Sequence, residues 1–478
     1  MPATKNNKNN EAVAADVDFL DDVKPKTEQI DFAPLLTTGS GLTEDTIRAI
    51  SAAKHEPEWM LQIRLAAFAT YQQMGQPKFG PDLSGIDLAH INYFQRSTPG
   101  AVRDWDDVPS ELKDTFEQMG VPQAERRYLA GASAQFESEV VYEHLQGEIE
   151  SCGIIFCSMD QAVAEHPDIV RQYFGKLIPA SDNFYAALNT AVWSGGTFLY
   201  VPAGVYLDTP LQSFFRINAG RSGQFERTMI IVEPGAHINY VEGCTAPTYS
   251  EDSLHAAVVE VSVHKDAYAR YTTIQNWSNN VYSLETKRAS ADAGATMEWV
   301  DGNLGSKVTM KYPSVYLNGE GAHGTMLSIA VAGKGIVLDS GARMIHNAPN
   351  TSSSIISKSI AKDGGATDYR GTVRFGPHAH GAYAHVECDT ILMDETSRSN
   401  TIPINEVHCS DVAMEHEAKV SKVSEAQLYY LMSRGLTEEK ANEMIIMGFV
   451  EPFAKELPME YAVELNRLIK MQMTGSVG

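Results

Sequence analysis

The chain has 478 residues, and its 38 lysines and arginines against 61 aspartates and glutamates give a net charge of -23. This charge repels phosphate backbones and anionic lipid headgroups, so we expect neither nucleic acid nor a membrane as a partner. The sequence has no run of about 18 apolar residues, and its first thirty residues lack the apolar segment of a secretion signal. These features predict a cytoplasmic protein of two or three domains.

The amino-terminal part divides into a polar tail and a helical region. Residues 1–30 are polar and acidic and offer little to bury, so we predict a disordered tail. Residues 31–150 are predicted to be mainly helical. Within them Pro57 stands at a helix start, apolar residues follow at helical spacing, and Gly75 ends the pattern.

Residues 151–420 are typical of β-structure, because β-branched and aromatic residues alternate with polar ones in short runs. A turn of small residues followed by a strand returns at steps of 31, 28 and 27 residues, beginning at Gly235, Asp266, Gly294 and Gly321. Another such turn, at Gly365, follows a gap that leaves room for one more unit or an insertion. A repeat of about thirty residues without space for a crossover helix predicts a parallel β-helix, and a β-sandwich is the alternative.

Residues 421–478 are predicted to form a helical domain. Ser424 and Gln427 have the spacing of a capping box, Thr437 opens a second helix, and a third follows Pro458. The predicted fold is therefore mainly β, with a β-helix core between helical regions at both ends.

The chain contains no convincing nucleotide site. Gly319 to Gly324 match the pattern G-x-G-x-x-G, but a segment typical of a strand follows, so we interpret the match as a turn. The phosphate-binding loop G-x-x-x-x-G-K-[ST] does not occur in the sequence. We therefore expect any ATP hydrolysis to take place in a partner.

Sulfur, imidazole and carboxylate groups are concentrated between residues 378 and 417, where five of the 14 histidines lie. On strands, Cys388 would point away from its two acidic neighbours, and His416 would point away from Glu415 and Glu417. Thiolate, imidazole and carboxylate together suit iron. The alternative is a cysteine packed as a small hydrophobe, with Glu415, His416 and Glu417 partly solvated at a strand edge.

The other cysteines have different sequence surroundings. The five in the chain are few and odd in number, so we expect free thiols. Cys244 follows a strand-like segment, and a guanidinium from Arg216 or Arg227 would lower its pKa and make it a sulfur nucleophile or acceptor. Cys152 and Cys157 lack zinc-site spacing, and we predict that both lie in the core.

Long segments of the sequence resemble SufB, the B-subunit family of the SUF iron–sulfur cluster assembly scaffold. The likeness runs from about residue 45 to the end, and it is carried by "FLYVPAGVYLDTPLQSFFRINA", "GQFERTMIIVEPGAHINYVEGCTAP", "TIQNWSNNVYSLETKRA", "ARMIHNAPNTSSSIISKSI", "YRGTVRF" and the closing segment that begins "EHEAKVSKVSEAQLYYLMSRG".

The resemblance implies a right-handed parallel β-helix that works as a non-catalytic scaffold for a transient iron–sulfur cluster. It implies pairing with the sister subunit SufD through the β-helix and binding of the SufC ATPase through the carboxy-terminal helices. A cysteine desulfurase system would supply sulfur. An isolated chain is expected to be able to form a homodimer.

The resemblance also implies roles for individual residues. It places cluster assembly on Cys388, Glu415, His416 and Glu417, with Cys388 and His416 as the iron ligands. It places the sulfur-accepting thiol on Cys244. The path that would pass sulfur onward falls on Arg216, Asn218, Gln275, Trp277 and Lys287.

Two departures from the family pattern and two alternatives remain. The chain has no cysteine before Cys152, so no amino-terminal cluster motif is present, and Cys409 matches no position with a role. Reduced flavin, which some family complexes bind, has no recognisable motif here. The alternatives are SufD in a structural role and a β-helix enzyme acting on polysaccharides. The segments "EGCTAP" and "VECD" in one chain argue against SufD.

Overall fold

Two facing parallel β-sheets form the centre of the chain. The structure, a computed structural model, describes residues 34–110, 112–113, 129–217, 220–246, 251–457, 462 and 465–470. A short antiparallel pair, β1 (Leu36–Thr37) and β2 (Gln95–Arg96), precedes the two sheets.

The strands of the two sheets alternate along most of the chain. The first sheet has ten strands within the described residues: β3 Gly131–Phe136, β4 Glu139–Leu145, β7 Leu211–Arg216, β10 His237–Thr245, β12 Tyr268–Trp277, β14 Thr296–Gly305, β17 His323–Ala332, β19 Ser352–Ala361, β21 Ala382–Leu392 and β23 Val412–Lys422. The second sheet, over the same described ranges, has eleven: β5 Ile155–Ser158, β6 Thr197–Val201, β8 Gly223–Gln224, β9 Arg227–Val232, β11 Ser253–Val263, β13 Val281–Ala291, β15 Val308–Lys311, β16 Ser314–Leu317, β18 Val337–His346, β20 Ala366–Phe375 and β22 Arg398–Val407.

Successive strands of each sheet pair in parallel, one coil apart. His237 pairs with Tyr268, Tyr268 with Thr296, and Thr296 with His323. Antiparallel pairing occurs at the amino-terminal end, in β3–β4 and β5–β6. The result is a parallel β-solenoid of about eight turns, which confirms the predicted β-helix. The sandwich alternative is wrong, because its sheets would be antiparallel.

The repeat in the sequence has a backbone cause. Most coils enter the first sheet through a residue with positive φ, which glycine and, less readily, asparagine and aspartate adopt. The N–H group of each donates to the carbonyl before the next turn, as from Gly321 to Pro349 at 3.1 Å. These residues are Gly235, Asp266, Gly294, Gly321, Asn350 and Gly381. The gap before Gly365 thus contains the coil that starts at Asn350, and Gly365 itself leads into β20 of the second sheet.

Most of the space between the sheets is filled with apolar side chains. In the first sheet the inward positions of one register row are Tyr240, Tyr271, Trp299, Met326, Ile355 and Val386, and all are buried. Stacked aromatic and branched side chains hold neighbouring coils in register because each packs on the coil before it.

Helices cover the outer faces of the sheets. α1, α2 and α6 pack on the second sheet through residues such as Phe68 and Leu188, and α8 packs on the first sheet through Val450 and Phe453. The α-helices with defined bounds are α1 Glu44–Ala53, α2 Glu58–Gln73, α3 Gly147–Glu150, α4 Met159–Glu165, α5 Pro167–Tyr173, α6 Phe184–Val192, α7 Glu425–Ser433 and α8 Glu438–Glu456. Residues 465–470 are also helical.

The predicted domain boundaries stay predictions, although the elements can be placed against them. The predicted disordered tail, residues 1–30, lies outside the described residues. β3 and β4 fall before residue 151 but belong to the first sheet, and α4 to α6 fall after it. Near the end, Ser424 and Thr437 cap α7 and α8 as predicted, each accepting from the backbone N–H three residues on.

Candidate functional site

Cys388 lies inside the solenoid, near its carboxy-terminal end. On β21 its side chain shares the inner face with Ala384 and Val386, and it is 4% exposed. The neighbouring carboxylates Glu387 and Asp389 point outward, where both contact the ammonium group of Lys358. Strand alternation thus separates the thiol from the acidic groups beside it in sequence.

His416 shares the inner face with Cys388. On β23, His416 pairs with Val386 and Ala418 pairs with Cys388, so thiol and imidazole are diagonal neighbours. Diagonal positions on adjacent strands are roughly 7–8 Å apart, a gap that one iron bound to both side chains can span.

Glu415 and Glu417 do not join this pair. Both are exposed and occupy the outward positions of β23. Glu415 accepts a hydrogen bond from the Tyr383 hydroxyl at 3.0 Å and lies 3.3 Å from His385 Nδ1. The four residues assigned to cluster assembly are therefore divided between two faces of the strand.

The protonation of the inner pair follows from burial. Burial raises the pKa of the Cys388 thiol to about 12, and a contact with the Tyr369 hydroxyl opposes this shift. Burial lowers the pKa of His416, so its ring is neutral at neutral pH. The His416 Nε2 atom is buried and has no hydrogen-bond partner among the residues that the structure describes. A neutral imidazole with a free nitrogen is the form that binds metals.

The pair lies at the open end of the solenoid, with His416 on the end strand β23 and Cys388 one strand farther in, on β21. β22 and β23 form its last coil, and most of their residues are exposed, including Ile404, Val407 and Val420. Each of these strands pairs with one neighbour and leaves its other edge free within the described residues. Cys388 is thus buried, but a single coil separates it from this end.

Cys244 lies inside the solenoid several coils earlier. It is 3% exposed and packs with Phe215, Ile217 and Trp277. Burial raises the pKa of its thiol well above the usual value, and Glu242 raises it further. The expected lowering by a guanidinium is wrong, because Arg227 lies on the outer face and pairs with a glutamate there. The register also places Arg216 beside Thr245, on the face opposite Cys244.

Two inward rows of the first sheet connect the coils of the two cysteines. Directly paired residues form one row from Glu242 through Thr273, Asp301, Ser328 and Ser357 to Cys388, and a second row is Cys244, Gln275, Asn303, Ala330, Ser359 and Thr390. All twelve residues are buried. The first row is polar as far as Cys388, and five strand spacings make it about 24 Å long.

Buried cations lie along the early part of these rows. Lys287 Nζ is 3.4 Å from Glu242 and 3.0 Å from Glu285, while Lys311 Nζ is 3.3 Å from Asp301. Despite burial, the neighbouring carboxylates raise the pKa of Lys287, so it stays charged. These pairs keep the interior charged where solvent is excluded.

Three of the path residues expected from the sequence thus lie on this interior. Gln275 donates to Glu285, and the Trp277 ring lies tilted against His255 with ring centres 4.8 Å apart. Lys287 joins the charged pairs. Asn218 lies outside the described residues. Sequence reasoning missed Glu242, Glu285, Asp301, Lys311 and Tyr369. The signal that could have found them is a polar residue that recurs at the same position in successive coils.

The other cysteines have simpler surroundings. Cys157 is buried with Met159 and Phe198, as predicted, but Cys152 is exposed, so its predicted place in the core is wrong. Cys409 Sγ lies 3.4 Å from His380 Nδ1 at the last coil.

The described residues hold no group of three or more histidine, cysteine, aspartate or glutamate side chains that could bind a metal ion. Within that same part of the chain, no helix has both the length and the apolarity needed to cross a membrane.

Proteins of one family match this chain over most of its length. The family model "SUF system FeS cluster assembly, SufBD core domain" matches residues 215–449, and "SufBD protein N-terminal region" matches residues 100–213. An iron-sulfur cluster assembly SufBD family protein of Staphylococcus saprophyticus is 60% identical over 438 residues, which are 92% of this chain and 94% of that protein. Similar proteins of Staphylococcus epidermidis and Staphylococcus aureus strain USA300 are 60% and 59% identical over 438 residues. The chain therefore belongs to the SufBD family of iron–sulfur cluster assembly proteins.

Proposed function

We propose that this chain is the cluster-bearing B subunit, SufB, of a SUF scaffold, and that it accepts sulfur at Cys244 and assembles a cluster at Cys388. The observation that carries the proposal is the buried polar row between the coils of the two cysteines. A subunit with only a structural role would be expected to fill these inward positions with apolar side chains, since burying polar groups is costly.

The interior row suits the passage of sulfur. Persulfide and sulfide are anionic once they lose a proton, and Lys287 and Lys311 provide positive charge along the early part of the row. Farther along, hydroxyl groups continue it, with Ser328 donating to Ser357 at 3.0 Å. The carried-over path residues Gln275, Trp277 and Lys287 lie on or against these rows.

At the end of the row, Cys388 and His416 would hold iron with sulfide. Glu415 and Glu417 would act from the outer face of β23, where incoming iron or a partner subunit can reach them. The two carboxylates would not bind iron together with Cys388 and His416, because both lie on the opposite face of the strand.

Exposed surfaces at the carboxy-terminal end support the expected partners. Long strands with free edges pair readily with another chain, so β22 and β23 suit docking of the SufD solenoid. α7 and α8 expose Tyr429, Tyr430 and Met444, which suits docking of the SufC ATPase. The chain itself would be a scaffold, with ATP hydrolysed in SufC.

Anaerobic affinity purification of this chain, coexpressed with SufC and SufD, tests the proposal. We expect all three chains to copurify, and the complex to bind iron and acid-labile sulfide when supplied with ferrous iron, cysteine and its desulfurase. Cysteine-to-serine changes at residues 244 and 388 of this chain should remove the sulfide. A complex whose sulfide depends only on cysteines of the other solenoid chain would identify this one as the structural subunit and refute the proposal.

A further inference from the structure

A buried glutamate lies beside Cys244, at the start of the first polar row. Glu242 is fully buried and lies on the inner face of β10, two residues before Cys244. The Cys244 thiol donates to Glu242 Oε1, with Sγ and oxygen 3.7 Å apart, which is within hydrogen-bond distance for sulfur.

The Glu242 carboxylate is held in place from two sides. The Tyr271 hydroxyl donates to Oε2, and Lys287 Nζ lies 3.4 Å from Oε1. These two contacts keep Oε1 near the sulfur. A fixed anionic oxygen beside a thiol is the arrangement of a general base.

Cys244 needs such a base. A thiol attacks sulfur only as the thiolate, yet burial and Glu242 both raise the pKa of Cys244. Arg227, which would have favoured the thiolate, is engaged on the outer face. The proton must therefore leave for a nearby acceptor when the sulfur–sulfur bond forms.

We propose that Glu242 is the general base for sulfur transfer to Cys244, a role that rests on the proposed function of Cys244 as the sulfur acceptor. Glu242 takes the proton from Sγ as Sγ attacks the terminal sulfur of a donor persulfide, R–S–SH. The new bond joins Sγ to that sulfur, the donor's sulfur–sulfur bond breaks, and the leaving thiolate takes the proton from Glu242. The products are Cys244 persulfide and R–SH, so no net oxidation or reduction occurs.

Several other titratable groups face Glu242 and belong to its electrostatic environment. They are Tyr240 and Cys244 on its own strand, Tyr271 on β12, and Lys287, Glu285, His255 and Glu226 from the side of the second sheet. If Glu242 acted only through its charge, its removal would lower the thiol pKa and speed sulfur transfer. A base role predicts the opposite sign.

The test supplies glutathione persulfide to the complex and follows persulfide at Cys244 by mass spectrometry, in wild type and Glu242→Gln, across neutral and alkaline pH. We expect transfer to Glu242→Gln to be on the order of 100-fold slower at neutral pH and to recover as pH rises. Glu242→Asp, which keeps a carboxylate, should restore part of the rate. Lys287 keeps Glu285 as a partner in these variants, which favours an intact fold.

Glu298→Gln is the matched control. Glu298 is also held by a tyrosine and a cation, Tyr268 and Arg270, but on the outer face, so its loss should leave the rate unchanged. An unchanged or faster rate in Glu242→Gln, or an equal loss of rate in Glu298→Gln, would overturn the general-base role of Glu242 but not the acceptor role of Cys244. A wild-type complex that gains no sulfur at Cys244 would overturn the acceptor role and the base role together.

Discussion

Replacement of Cys388 by serine is expected to abolish cluster assembly while the solenoid stays folded. Serine has nearly the same volume as cysteine, and the Tyr369 hydroxyl beside residue 388 offers a hydrogen-bond partner. We therefore expect a stability change of about 1 kcal/mol. A hydroxyl is a poor ligand for iron in a sulfide cluster, so cluster formation should fall to background.

The measurement is the visible absorbance and the iron and sulfide content of the anaerobically reconstituted complex. Cys157→Ser is the control, because Cys157 is also buried but packs with Met159 and Phe198 away from the interior rows. It should assemble clusters at the wild-type rate. Unimpaired assembly by Cys388→Ser would exclude Cys388 as the cluster thiol.

Replacement of Glu260 by alanine is expected to cause a large loss of stability. Glu260, on β11, is 2% exposed and lies 2.5 Å from the guanidinium of fully buried Arg227. Its carboxylate also accepts from the backbone N–H groups of Gly175, Leu177 and Ile178, which tie the segment before α6 to the second sheet. The variant would leave a buried charge and three donors without this partner, which costs about 3–5 kcal/mol or more.

Urea unfolding followed by circular dichroism and fluorescence measures this loss. Glu44→Ala serves as the control, since Glu44 pairs with Arg48 at 2.6 Å on the exposed face of α1. Exposed pairs of this kind contribute about 0.5 kcal/mol. Equal midpoints for the Glu260→Ala and Glu44→Ala variants would show that the buried pair does not hold the segment to the sheet.

The coil repeat was visible in the sequence because backbone geometry demands it. Gly235, Gly294 and Gly321 recur where a positive φ is needed, and Asp266 fills the same position with a side chain that tolerates it. Asn350 makes the same turn, but threonine follows it where alanine follows each of the other four, so the coil it starts was seen only as a gap. The repeat therefore depends on a residue that tolerates positive φ at each turn, and not on one residue type.

The candidate site was only partly predictable for a different reason. Alternation along one strand correctly set Cys388 apart from Glu387 and Asp389, because it depends on local geometry alone. The position of His416 relative to Cys388 depends on register between strands about thirty residues apart, which the turns fix. The buried charges of Asp301 and Lys311 could not be read from their strands, since a charged residue usually indicates an exposed position.

Mössbauer spectroscopy of the anaerobically assembled complex tests the central claim most directly, which is that Cys388 and His416 hold iron together at the inner face of the last coils. The account predicts a sulfide-bound iron signal in wild type, its loss in Cys388→Ser, and an altered signal in His416→Ala while persulfide still forms at Cys244. Identical iron spectra in wild type and both variants would contradict the account.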